Sequence, residues 1–243
     1  MSSPLLKENQ NITGSGRNHG IDLLRLALMF MVCMLHTLGQ GGILNASAEG
    51  TNAYRAYWFL EILSYCAVDG FAIISGYAAS NRPRKYDKIV NMWFQAFFYS
   101  FILTGVLTVI GISDSWATDD MIKCIFPITF NKFWYFTDFF ALFFAIPVLN
   151  KFLFSISEEV AKKALIIIFV LFSVLGIFND SFRTAGGYSA IWLIVLYCIG
   201  VLAKRVKLFE TRKNTTLIIL WGLCIFITWL VHDRSGNMQL ISY

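Results

Sequence analysis

Seven stretches of this chain are apolar almost without interruption: residues 20–40, 57–80, 89–112, 133–154, 164–179, 188–203 and 215–232. Short polar segments separate them. An α-helix rises about 1.5 Å per residue, so roughly 20 apolar residues cross a hydrocarbon layer of about 30 Å. Most of the stretches are near that length. The fifth and sixth, at 16 residues each, predict helices that are broken, tilted or longer than their apolar run. The pattern predicts an all-α, polytopic transmembrane helix bundle of about seven spans.

Composition sharpens this. Of 243 residues, 57% are hydrophobic and 14% charged, and the mean hydropathy is +0.61. Soluble domains run about 45–50% apolar and about 25% charged, so a large aqueous domain is excluded. Met1–His19 is polar and lacks a signal-peptide core, so the first apolar stretch stays as a membrane helix. The chain divides into a polar cytosolic segment, 1–19, and a transmembrane domain, 20–243. With the N-terminus in the cytosol, fourteen of the twenty Lys and Arg lie in inside segments and five in outside ones. That bias sets the N-terminus inside and places Tyr243 outside. Trp58, Trp116, Trp134 and Tyr188 then fall near the outer boundary, as aromatic belt residues do. The five cysteines have no metal-ligand spacing, so neither a zinc site nor a disulfide framework is expected.

The first span carries Asp22, Arg25 and His36. A charge at the bilayer centre costs about 2.5–3.5 kcal/mol on insertion scales, and such groups face a protein interior or a wet cavity. Arg25 and His36 are eleven residues apart. Eleven residues make three turns plus about 20°, so both point the same way, roughly 16 Å apart along the axis. Asp22, three before Arg25, lies on the same side. Two plain readings stand beside the functional one. Asp22 and Arg25 can be a snorkelling pair that sets the helix depth, and His36 can be a neutral buried imidazole.

Asp69 sits about halfway down the second span, in Cys66-Ala-Val-Asp-Gly-Phe-Ala-Ile-Ile-Ser-Gly-Tyr77. It needs a partner, for which Arg25 and His36 are candidates, or it serves a packing seam with Gly70, Ser75 and Gly76. The cytosolic loop Arg82-Pro-Arg-Lys-Tyr-Asp-Lys88 fits plain positive-inside topology. It also fits a site for a polyanion, since Arg forks bind phosphate. Asp138 is a further acid inside an apolar stretch, Pro147 a tolerated kink, and His232-Asp233 an interfacial pair.

In their order and spacing these motifs resemble the membrane-bound acyltransferase-3 family, whose bacterial members O-acetylate surface polysaccharides, lipopolysaccharide and peptidoglycan. Arg25 and His36 match its Arg-x10-His pattern, within Asn18-His-Gly-Ile-Asp-Leu-Leu-Arg25. Val68-Asp69-Gly-Phe71 and Ile74-Ser-Gly-Tyr77 resemble its Val-Asp-x-Phe and Ser-Gly-Tyr/Phe elements. Phe133-Trp-Tyr-Phe136 with Pro147-Val-Leu-Asn150, then Gly187-Tyr-Ser189 with Tyr197-Cys-Ile-Gly200, match later segments. The likeness runs from Gly20 onward. In the basic loop Arg82 is followed three residues on by Lys85, where the family has a second Arg. The family pattern also continues past Leu240-Ile-Ser-Tyr243 into more helices, so the chain is expected to be a C-terminally truncated member.

The resemblance implies acetyl or acyl transfer from cytosolic acetyl-CoA to a hydroxyl of a cell-surface glycan or polyprenyl-linked sugar. The partners implied are the lipid bilayer of the cell membrane and that acceptor, with no nucleic acid. His36 would be the base, Asp69 would orient it, and Arg25 would bind phosphate or steady an oxyanion. Arg82, Arg84 and Lys85 would hold the donor's phosphates. Rival readings are a transporter or flippase for a sugar-linked or anionic solute, because buried Arg, His and Asp also mark solute and proton paths, and an inactive truncated form.

Overall fold

The computed structural model describes residues 18–79, 86–111, 118–177, 179–180, 182–210 and 213–235. Among them every regular element is helical: α1 (His19–Leu35), α2 (Ile43–Ala46), α3 (Asn52–Ser64), α4 (Cys66–Tyr77), α5 (Asp87–Val109), α6 (Thr118–Ile125), α7 (Trp134–Ser155), α8 (Glu158–Phe169), α9 (Ala190–Arg205) and α10 (Asn214–Ser235). Five helical segments are long and apolar enough to cross a membrane: His19–Gln40, Asn52–Tyr77, Asp87–Val109, Trp134–Ser155 and Asn214–Arg234. They correspond to five of the seven predicted spans. The other two differ as their shortness foretold. Stretch 164–179 lies in a run that starts earlier, at α8, and ends in a π-turn (Val170–Val174) and a 3-10 turn (Leu175–Ile177). Stretch 188–203 is α9, a shorter helix sunk in the centre of the bundle.

Helix starts are written locally. Asn18 accepts hydrogen bonds from the backbone of Gly20 (3.1 Å) and Ile21 (3.2 Å). Thr51, Ser157 and Ser189 cap α3, α8 and α9 in the same way. Each supplies an oxygen to an amide that the first turn leaves without a partner. Glu158 and Glu159 open α8 while Lys204 and Arg205 close α9, the placement the helix dipole favours.

Contacts fix the directions of the helices. α4 and α9 run parallel: Asp69 meets Trp192, Gly76 meets Tyr197, and Tyr77 lies under Lys204. α7 runs parallel to α9 as well. Trp134 packs on Tyr188 at one end, with ring centroids 4.6 Å apart, and Arg205 donates to the carbonyls of Leu153 and Ile156 at the other. The chain between α7 and α9 therefore returns across the bundle as the α8 run. α10 lies antiparallel to α3, joined by an Arg55–Asp233 ion pair at 2.9 Å and by His232 stacked on Trp58 at 4.1 Å. His232-Asp233, expected at an interface, thus locks the last helix onto the start of α3.

The core lies between α4, α7, α8 and α9, around Leu142, Ile146, Leu193, Tyr197 and Leu202. α1, α5 and α10 turn long apolar side chains outward, among them Leu23, Phe30, Phe98, Val109, Ile218 and Phe226. That suits helices whose outer faces meet lipid rather than water. All five cysteines are free. Cys124 lies beside Lys132 Nζ (2.9 Å) and Thr104 Oγ1 (3.3 Å), tying the α6 segment to α5.

Candidate functional site

α1 packs antiparallel on α3 and α4. A Cβ added to Gly70 would lie 2.7 Å from Leu28, and one added to Gly39 would lie 3.5 Å from Glu61 Oε1. Residue i of α1 therefore faces residue 98 − i to 100 − i of α3–α4. Tyr65, between α3 and α4, keeps helical angles (φ −55, ψ −33), so the register carries through. Asp69 then stands level with residues 29–31 of α1. At 1.5 Å per residue that is about 6–9 Å along the axis from Arg25 and about 8–10 Å from His36.

That offset explains the bonding. Asp69 Oδ1 accepts the indole hydrogen of Trp192 at 2.8 Å, not a bond from Arg25 or His36. Arg25 pairs with Asp22 in its own helix at 3.5 Å. His36 Nδ1 bonds Gln40 Oε1 at 2.8 Å. Arg25 and His36, on the exposed surface of the first helical segment, and Asp69 on α4 thus stand at three depths without touching one another. The expected orienting bond from Asp69 to His36 is absent because His36 sits more than a turn further along. The partner that holds the imidazole is Gln40, which the Arg-x10-His spacing gives no reason to single out.

His36 opens a π-turn, His36–Gln40, at the end of α1. Its carbonyl accepts from Gly41 N at 2.8 Å. Such turns occur often at functional sites because the extra residue re-aims side chains. An amide oxygen can only accept, so the ring donates from Nδ1, and in the neutral imidazole the lone pair is then on Nε2. This is the tautomer a general base needs. Arg25 and His36 are both exposed.

Glu61 was not legible as a site residue. It lies four residues inside the edge of the predicted 57–80 span, where charge is commonly tolerated. In the fold it is 8% exposed, and its Oε2 has no hydrogen-bond partner. A carboxylate within an apolar stretch was the available signal, the same one that marks Asp69.

Other motif residues hold the bundle together. Tyr197 donates to Asn150 Oδ1 at 2.7 Å inside the core, joining the Pro147-Val-Leu-Asn150 and Tyr197-Cys-Ile-Gly200 elements. Gly76 and Gly200 bring α4 and α9 into backbone contact, so the Ser75–Gly76 seam is a packing seam as expected. Arg82, Arg84 and Lys85 lie outside the described residues. Among the described residues no group of His, Cys, Asp and Glu is arranged to hold a metal ion.

No curated protein and no solved structure matches the chain. The acyltransferase-3 family model, described as an acyltransferase domain, matches residues 18–233. That stretch includes both helices of the seam, the π-turn at His36 and the central α9, and the chain belongs to the acyltransferase-3 family.

Proposed function

We propose that this membrane acyltransferase moves an acetyl group from cytosolic acetyl-CoA to a hydroxyl of a cell-surface or polyprenyl-linked glycan. The observation that carries the reading is the π-turn imidazole. His36 is held at Nδ1 by Gln40, which directs proton acceptance to Nε2, on a membrane helix that also bears Arg25. In the reaction the acceptor oxygen forms a bond to the acetyl carbonyl carbon and the C–S bond breaks. The hydroxyl proton passes to His36 Nε2 and on to the departing thiolate. Positioned acid–base help of this kind is worth about 10²–10⁴-fold.

The remaining roles follow from depth. With seven spans and the N-terminus in the cytosol of a cell-membrane protein, Arg25 lies toward the cytosolic face and His36 toward the outer one. Arg82, Arg84 and Lys85 bind the donor's phosphates at the cytosolic mouth, where Arg forks suit them. The pantetheine arm then follows the seam past Arg25 and Asp69 to His36, roughly 16 Å along α1. Arg25 meets the charge of the donor or of the tetrahedral oxyanion. Asp69, fixed by Trp192, lines the path between them.

The test is consumption of labelled acetyl-CoA by membranes that contain the chain, with no ion gradient. Release of the label, lost in His36→Ala, supports acyl transfer. Intact acetyl-CoA together with gradient-dependent solute movement would favour the transporter instead.

A further inference from the structure

Glu61 is buried in the C-terminal half of α3, in a stretch long and apolar enough to span a membrane. Its Oε2 has no hydrogen-bond partner. An oxygen so placed loses its hydration with nothing in exchange, which is costly in any apolar setting. Buried polar groups almost always find partners, and an exception calls for an explanation such as a ligand. Its surroundings suggest which ligand. The carboxyl faces the π-turn at Gly39, three residues from His36. Tyr65, one turn on, is within electrostatic range of both Glu61 and Tyr188, and Tyr188 packs on Trp134. Trp58, one turn back, is buried against His232. An acid with an aromatic residue one turn either side of it, Trp58 and Tyr65, is a combination that suits a sugar, which offers C–H groups to aromatics and hydroxyls to the acid.

We propose that Glu61 is the acceptor-binding residue of the site, accepting a hydrogen bond from a sugar hydroxyl next to the one that His36 deprotonates. This rests on the acyltransferase reading. It gives the two substrates separate ends of one seam: the donor arrives from Arg25, the sugar from the Glu61 side, and they meet at His36. Glu61 takes no part in the proton balance of the transfer; it fixes which hydroxyl is presented.

The test uses Glu61→Gln and Glu61→Leu in the full chain, with three readouts. The first is hydrolysis of labelled acetyl-CoA by membranes without added acceptor. The second is alkali-labile acetate on the cell's own envelope glycan. The third is the melting temperature in mild detergent. Expected are donor hydrolysis within twofold of the unaltered chain, glycan ester reduced at least tenfold in Glu61→Leu and less in Glu61→Gln, and a melting temperature unchanged or raised. A buried acid kept for binding should cost stability, so its removal should not lower it. Full glycan ester in both variants would overturn the assignment, as would a lowered melting temperature with both activities falling together. If the unaltered chain leaves acetyl-CoA intact, the acyl-transfer reading falls and this assignment with it.

Discussion

Gly76 and Gly200 stand face to face, each pressed against the other helix's backbone. A Cβ on Gly76 would run into the carbonyl oxygen of Tyr197, and one on Gly200 into that of Ile73. Helices in lipid lack a hydrophobic drive to associate and depend on such close approach. Gly76→Ala and Gly200→Ala should each destabilise the bundle by about 1–3 kcal/mol, the usual cost of overpacking. Gly222→Ala, with nothing within 4 Å of its added Cβ, should be neutral. Unfolding midpoints in detergent check this, and equal midpoints for all three would contradict the packing described.

The bond from Trp192 to Asp69 yields a second expectation. Trp192→Phe keeps the ring but removes the only donor that Asp69 has among the described residues. Leaving a fully buried acceptor unpaired costs about 1–3 kcal/mol, and the half-buried Asp69 should lie toward the lower end of that range. Added to Asp69→Leu, the same change should cost far less, because no acceptor remains to be stranded. A double-mutant cycle on unfolding free energy measures this coupling, and additive effects would show that the bond contributes nothing.

Arg205 gives a third. Its guanidinium bridges two carbonyls, those of Leu153 and Ile156, at the end of α7. Arg205→Lys has no planar fork and should recover only part of the bridge. Arg205→Met should lower stability by about 2 kcal/mol, in the range of bonds to charged groups. Proteolysis near Ser155 should rise in the order native, Lys, Met.

A pH effect is expected in the connection before α9. Asp180 accepts from Thr184 Oγ1 (2.7 Å), Thr184 N (2.6 Å) and Ala185 N (2.8 Å). These bonds, Thr184's hydroxyl first, hold its carboxyl below the ordinary value of 3.8. A lowered folded-state value means the bonds favour the ordered turn above pH 3.8 and lose that effect as the pH falls through the lowered value. Amide exchange at Thr184 and Ala185, corrected for intrinsic rate, should lose protection in that acidic window. Asp180→Asn should show no such step.

Much of this was legible in the sequence, for physical reasons. Length and apolarity alone identify a spanning helix, because the bilayer sets both, and five such helices stand where the apolar runs predicted. The small residues at 70 and 76 marked close helix contacts. Stretch 188–203 was harder. A helix buried by its neighbours is apolar all round, so its pattern does not separate a central helix from a lipid-facing one. Individual bonds were harder still. The second span's acid was expected to meet Arg25 or His36, yet it turned to Trp192, 123 residues further on in the chain. Periodicity ranks residues on one helix by face; it does not rank depths between helices, and depth separates Asp69 from His36. Glu61 is hard to read in the sequence for a related reason: the π-turn at Gly39 packs against its carboxyl.

The central claim is that His36 is the base of an acyl transfer. The most direct measurement is alkali-labile O-acetyl ester on the surface glycans of a deletion strain carrying the chain, its His36→Ala variant or an empty vector. The account predicts ester restored by the chain and reduced by about 10²-fold or more in His36→Ala, at equal membrane abundance. Equal ester from both versions would contradict it.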